Sequence, residues 1–224
     1  LGRRVLVDAC TQIRAWSDSV EAGTGLRVAV NISGRHLQQG DLVADVRHAL
    51  EVSGLDAGDL VIELTESTIM QNTEVNLERF RELKALGVRL AIDDFGMGYS
   101  SLSYLHRFPI DILKIDRAFV SRLTEHDGGP ELARAVVMLA TTLGLETVAE
   151  GIENESQVAT LLDLGCVAGQ GFLFASSSLL DVVAQTPFMA RRADLRAAER
   201  AAQADLTATG RFRAAELWPR SAAG

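Results

Sequence analysis

The chain has 224 residues, of which 47% are hydrophobic and 23% charged, with a formal net charge of -8. Those proportions fit a folded globular domain and exclude a collagen-like fibre, a wholly disordered tail and a coiled coil. The charge is uneven: residues 188–224 hold seven arginines against four acids, a net +3, so residues 1–187 carry -11. A surface that acidic repels nucleic-acid backbone, which leaves no nucleic-acid polymer as partner, and suits a site that gathers cations. No stretch approaches the roughly 20 apolar residues that cross a bilayer, and none resembles a signal peptide, so the reading is a soluble, cytoplasmic protein with no membrane segment in this region. Cys10 and Cys166 are the only cysteines, too few for a disulfide framework or a thiolate metal site. His36, His48, His106 and His126 are scattered without zinc-ligand spacing.

In chain order, a helix is predicted over 2–17, followed by a strand at Arg27–Ser33 and a helix near 39–53. A strand follows at Leu60–Thr65, then a helix near 72–86 and a strand at Arg89–Asp94. A helix near 100–107 leads to a strand at Ile110–Asp116. A helix near 130–143 precedes a strand at Glu146–Glu150, and a helix near 154–164 precedes the last strand, Cys166–Phe172. Strand-plus-helix units of this kind are what a parallel α/β sheet requires. Gly87, Gly144 and Gly165 each stand between a helix and the next strand, where a helix stop belongs.

An open doubly wound sheet and a (β/α)₈ barrel compete. VNISGRH after the first strand is not the glycine-rich phosphate turn of a dinucleotide fold. Instead a polar residue stands near the C-terminal end of each strand: Asn31, Glu63, Asp93 with Asp94, Lys114, Glu150 and Gln170. A barrel gathers its strand C-termini into one ring, where barrel enzymes keep their chemistry. The expectation is therefore a TIM-type α/β barrel with six of its eight strands present. The first residue is leucine, and two further strands are expected ahead of it. The domain is taken as 1–187, and 188–224 as an Ala/Arg-rich helix and flexible tail.

Strand alternation sorts the side chains into two faces. Val61, Glu63 and Thr65 share one, as do Ala91 with Asp93, Ile112 with Lys114 and Asp116, and Val148 with Glu150. The opposite positions are leucine, isoleucine, threonine or alanine and would meet the helices. Taken singly, each polar group has an ordinary explanation: a strand-end aspartate caps a turn, a lysine is solvated, Glu66 belongs to a loop. Their coincidence at one end of successive strands does not. Buried carboxylates need pairing or a cation, and an oxygen-only donor set selects Mg²⁺ or Mn²⁺ over Zn²⁺. Adjacent Asp93 and Asp94 suit a two-ion site of the sort that hydrolyses phosphodiesters.

The series VNIS (30–33), ELTES (63–67), IDDFGMGYSSL (92–102), FPIDILKID (108–116), TVAEGIE (147–153) and QGFLF (170–174) resembles, in order and spacing, that of the EAL-domain cyclic di-GMP phosphodiesterases. The resemblance runs from residue 1 to about 180. It implies a modified TIM barrel, in bacterial signalling, that hydrolyses cyclic di-GMP to linear pGpG with two Mg²⁺ or Mn²⁺ ions. By resemblance, Asn31, Glu63, Asp93, Asp94 and Glu150 are metal ligands, and Lys114 and Glu150 act on the attacking water. Glu66 holds the loop 95–101, Gln170 completes the pocket, and Glu153, one helical turn from Glu150, is a second substrate contact. A homodimer and an upstream sensor or cyclase domain are further expectations of this kind.

The departures are specific. The family's Glu-Ala-Leu strand, whose glutamate is another metal ligand, does not occur here and is expected upstream of Leu1. Met97 replaces the loop's usual threonine, and Ala175, Ser176 and Ser177 stand where Ser-Arg-Pro is usual. These departures keep a second reading open, a non-catalytic cyclic di-GMP receptor. An enolase-type barrel fits less well, because it leaves the paired aspartates and the DFGMGYSS loop without a purpose. With open strand edges, the segment on its own is expected to associate and to hydrolyse little.

Overall fold

The computed structural model describes residues 1–19, 26–71, 73–96, 105–123, 129–166 and 168–174. Helix α1 (Gly2–Ser19) leads into strand β1 (Val28–Asn31), followed by α2 (Gly34–Gln39) and α3 (Leu42–Ser53). Strand β2 (Leu60–Thr65) runs directly into the short helix α4 (Glu66–Met70), then α5 (Thr73–Ala85) and β3 (Arg89–Phe95). Strand β4 (Ile112–Ile115), α6 (Arg117–Val120), α7 (Gly129–Leu143), β5 (Glu146–Ala149), α8 (Glu155–Asp163) and β6 (Ala168–Gly169) complete the described chain.

The six strands form one sheet in sequence order, β1-β2-β3-β4-β5-β6, and every neighbouring pair is parallel. A doubly wound sheet reverses its strand order at a switch point, and this order never reverses. The sheet is also curled. Glu146 on β5 pairs with Arg89 at the start of β3 at 2.9 Å and reaches Arg27, just before β1, at 3.7 Å. On a flat sheet β1 and β5 would stand about 19 Å apart, four strand spacings. The architecture is thus a partial TIM-type barrel with helices outside.

Its two faces divide as alternation predicts. Leu60, Ile62, Leu64, Leu90, Ile92, Leu113 and Ile115 pack in the large outer core with the helices, from α1's Leu6 and Cys10 to α5's Phe80 and Leu83. Val61, Ala91 and Ile112 form a separate small cluster with Val148, which is the floor of the barrel interior beneath the polar mouth. At the opposite end Lys84 of α5 holds both Asp111 oxygens at 2.8 Å, while Asp111 accepts the Leu90 amide, so helix and strands are locked below the floor.

Three short helices depart from the expected elements, and each begins at a side chain able to cap. Ser33 accepts the His36 amide and starts α2, Thr65 accepts that of Thr68 and starts α4, and Asp116 accepts that of Ala118 and starts α6. Ser33 and Asp116 end their strands at 31 and 115, short of the expected 33 and 116, since each capping residue is already outside the ladder, whereas β2 ends at Thr65 as expected. Asn154 caps α8 in a reciprocal box with Gln157, and Gln157 also donates to Val120 O at 3.2 Å, tying α8 to α6. The last strand shrinks from the expected seven residues to two. The expected helix near 100–107 falls mostly, and Met97, Ala175, Ser176, Ser177 and the 188–224 tail wholly, outside the described residues.

Candidate metal and catalytic site

At the C-terminal ends of β2, β3, β4 and β5 the inward positions meet. Lys114 is 3% and Glu63 6% exposed, depths at which neither charge is tolerated alone. The Lys114 ammonium lies 2.8 Å from Glu63 Oε2 and 3.2 Å from Asp93 Oδ1, and it also donates to Glu150 Oε1. Gln170, just beyond β6, donates to the same Glu150 oxygen at 2.9 Å. Five strands thus contribute to one constellation.

Asp93 and Asp94 reach it by breaking the strand's alternation. The β3–β4 register shifts between Ile92 and Phe95, and Asp94 takes a left-handed backbone with φ 55°, alone among the described non-glycine residues in a positive φ. In regular β3 the two aspartates would face opposite ways. The bulge brings one oxygen each from Asp93, Asp94 and Glu150 within 4.8 Å of one another. Burial first, and the neighbouring charges after it, raise the proton affinity of Asp94 and Glu150. Asp94 is pushed up by burial, then by the Asp93 charge and by a hydrogen bond its protonated form shares with Asp116 and the charge of Asp116, with Lys114 opposing. Glu150 is pushed up by burial, against which Lys114 pulls, with Asp93 and Glu63 adding to the rise. Burial would lower Lys114, yet its hydrogen bonds to Glu150 and Glu63 and their charges carry it above the ordinary lysine value.

The remaining sequence candidates sit around this centre. Asn31 lies beside Glu63 in the β1–β2 register, on the same face and exposed at the mouth. Glu66, 6% exposed, accepts the Gly96 amide at 3.2 Å and so grips the backbone two residues past Asp94. Glu153 is not a helical turn from Glu150: α8 starts only at Glu155, and the left-handed Gly151 (φ 68°) turns the chain between them. Glu153 instead pairs with Arg117 on α6. Asp116 was not singled out from the sequence, although its parity with Lys114 was a signal that it faces the site.

The donor set can be tested against a divalent cation. Four carboxylates, Glu63, Asp93, Asp94 and Glu150, face one ammonium, an excess of negative charge that a hard cation would balance. All donors are oxygens, and neither cysteine takes part: both are buried in the outer core. The residues fit a hard divalent cation.

Comparison with known proteins agrees with this geometry. The EAL domain profile matches residues 1–177. Over 173 residues the chain is 43% identical to MucR of Pseudomonas aeruginosa, a bifunctional diguanylate cyclase/cyclic di-GMP phosphodiesterase, covering 77% of this chain and 25% of MucR. The structure of the PaMucR phosphodiesterase in complex with c-di-GMP aligns with a TM-score of 0.73 at 43% identity, over 78% of this chain and 70% of that one. The EAL domain of Mycobacterium smegmatis DcpA aligns with a TM-score of 0.76 at 39% identity, over 82% of each chain. The chain spans about a quarter of the length of the curated relatives it matches. With its barrel, its paired aspartates and a profile match across most of its length, this chain belongs to the EAL domain family.

Proposed function

We propose that this chain is the hydrolytic unit of a cyclic di-GMP phosphodiesterase, opening one phosphodiester bond of the ring with water to give linear pGpG. The observation that carries the reading is the buried Lys114 ammonium among Glu63, Asp93 and Glu150, with Asp94 turned into the same cluster by a backbone bulge. A structural ion pair needs one partner. This arrangement brings an excess of carboxylates together where the interior is otherwise apolar.

In this reading Asn31, Glu63, Asp93, Asp94 and Glu150 hold two Mg²⁺ or Mn²⁺ ions. When bound, such ions lower the pKa of water and stabilise charge on the phosphoryl oxygens. The chain's own groups do the rest. Lys114 orients the attacking water and adds positive charge beside the scissile phosphate. Glu150, held by both Lys114 and Gln170, presents a fixed carboxylate to that water and its proton. Glu66 steadies the backbone after the paired aspartates through Gly96. Gln170 and, at the rim, Glu153 contact the nucleotide. The hydrolytic unit is residues 1–187, with 188–224 appended; a cytoplasmic location, a homodimer and an upstream sensor or cyclase domain belong to the same reading.

The test is chromatographic. Cyclic di-GMP incubated in Mn²⁺ buffer with the chain extended to a complete eight-stranded barrel should give pGpG, and Lys114→Ala or Glu150→Gln should cut turnover at least a hundredfold. Nucleotide binding should largely survive both changes. Tight binding with no pGpG in that complete barrel would replace the enzyme with a non-catalytic receptor.

A further inference from the structure

We infer that Asn76 is a positioning residue for this site, acting through α4 and Glu66 on the backbone that follows Asp93 and Asp94. Only its consequence for turnover rests on the phosphodiesterase reading.

Asn76 lies on α5 beside Leu77 and one turn before Phe80, and it is fully buried. A carboxamide at such a depth is costly unless its polar atoms are used. Its Nδ2 donates to Thr68 O at 3.3 Å, to Ile69 O at 3.2 Å and to Gln71 O. These are carbonyls at the C-terminal end of α4, which a five-residue helix cannot satisfy internally. The Asn76 Oδ1 is buried without a hydrogen-bond partner among the described residues, so the amide's value at this position lies in what Nδ2 holds.

A helix this short is not stable by itself, and its position is set by its ends. Thr65 caps the first turn and Asn76 gathers the last. Glu66, the first residue of α4, reaches from it to the Gly96 amide. Gly96 has little freedom to follow a displaced helix: a Cβ there would meet the Phe119 ring at 2.9 Å. Loosening the C-terminal end of α4 should therefore break the Glu66–Gly96 bond and release the backbone just past the aspartate pair.

Amide hydrogen exchange on the whole chain, without nucleotide or metal, tests this. Asn76→Ala should speed Gly96 exchange about tenfold, the worth of one hydrogen bond. The Ile32 amide, which donates to Glu63 O, should change only with global stability. Asn76→Ser, which loses less volume and keeps one hydroxyl donor, should fall between and serves if the alanine variant does not fold. Glu66→Ala should also expose Gly96, and adding Asn76→Ala to it should bring no further increase. In hydrolysis assays Asn76→Ser should lower kcat several-fold with KM unchanged. Unaltered Gly96 exchange in a folded Asn76 variant, or additive effects in the double variant, would overturn the inference. Faster Gly96 exchange alongside a completed barrel that binds cyclic di-GMP without turnover would uphold the link and sink the phosphodiesterase reading instead.

Discussion

Lys114 shows at the scale of one residue how stability and chemistry share the same charge. Its ammonium neutralises carboxylates that burial has brought together, and those partners hold it protonated. Lys114→Met, similar in volume, should cost about 3–5 kcal/mol in metal-free buffer, because Glu63, Asp93 and Glu150 are left facing one another. Mn²⁺ should then restore part of the lost melting temperature, as an ion that binds only the folded state must. Equal melting of Lys114→Met and wild type in chelator would contradict this picture. A second residue acts only through burial. Cys10, inaccessible in the outer core, is pushed up from 9.0 to about 11 by burial. Below pH 9 the thiol is neutral folded or unfolded, and stability is unaffected. As pH rises from 9 to 11 the unfolded chain ionises first, so stability is lost across that window, by about 2 kcal/mol for this shift. The stability advantage of wild type over Cys10→Ala should shrink between pH 9 and 11 in chemical denaturation.

At the scale of an element, β3 departs from regularity for the sake of its last residues. The bulge and the left-handed Asp94 set two consecutive carboxylates toward one point, at a backbone cost of about 1 kcal/mol for a residue with a Cβ. Asp94→Gly removes both that strain and one repelling charge. In chelator it should melt at or above wild type, while its Mn²⁺-induced rise in melting temperature should shrink. Asp94→Val should be about 1–2 kcal/mol less stable than Asp94→Gly, since a β-branched residue tolerates that φ poorly. Asp93→Asn should lose most of the Mn²⁺ response with little change in metal-free stability. The turn after β5 is equally constrained: a Cβ on Gly151 would clash with Arg117 Cγ, and its φ is 68°. Gly151→Ala should therefore displace Arg117 from Glu153 and lower the melting temperature.

At the scale of the molecule, the curled sheet brings β1's end and β5's start into contact through Arg27 and Glu146, yet among the described residues β1 and β6 are not paired with each other. Parallel strand edges present unpaired amide and carbonyl groups that recruit other strands. The chain should therefore show mass increasing with concentration in light scattering. A monomer over a wide concentration range would mean that other residues already cover those edges.

The sequence by itself determined the α/β alternation, the inward and outward faces and most of the site. Alternation is local: Glu63, Lys114 and Glu150 face inward because Val61, Ile112 and Val148 do, and the greasy neighbours must cover helices. The recognisable order of VNIS, ELTES, IDDFG, LKID and AEG carried the family. Tertiary structure decided what alternation cannot express. The bulge that turns Asp93 and Asp94 together arises from pairing with β4, not from β3's own residues. The short helices at 66–70 and 117–120 are too brief to show a period and exist because capping side chains and neighbours hold them. Glu153 was placed one helical turn from Glu150 on linear spacing, but a left-handed glycine between them sends it to Arg117. Asn76 reads as an interruption in an apolar helix face until the fold lays α4's last carbonyls against it. A linear pattern records which way a side chain points; which groups it meets depends on strands and helices far away in the chain.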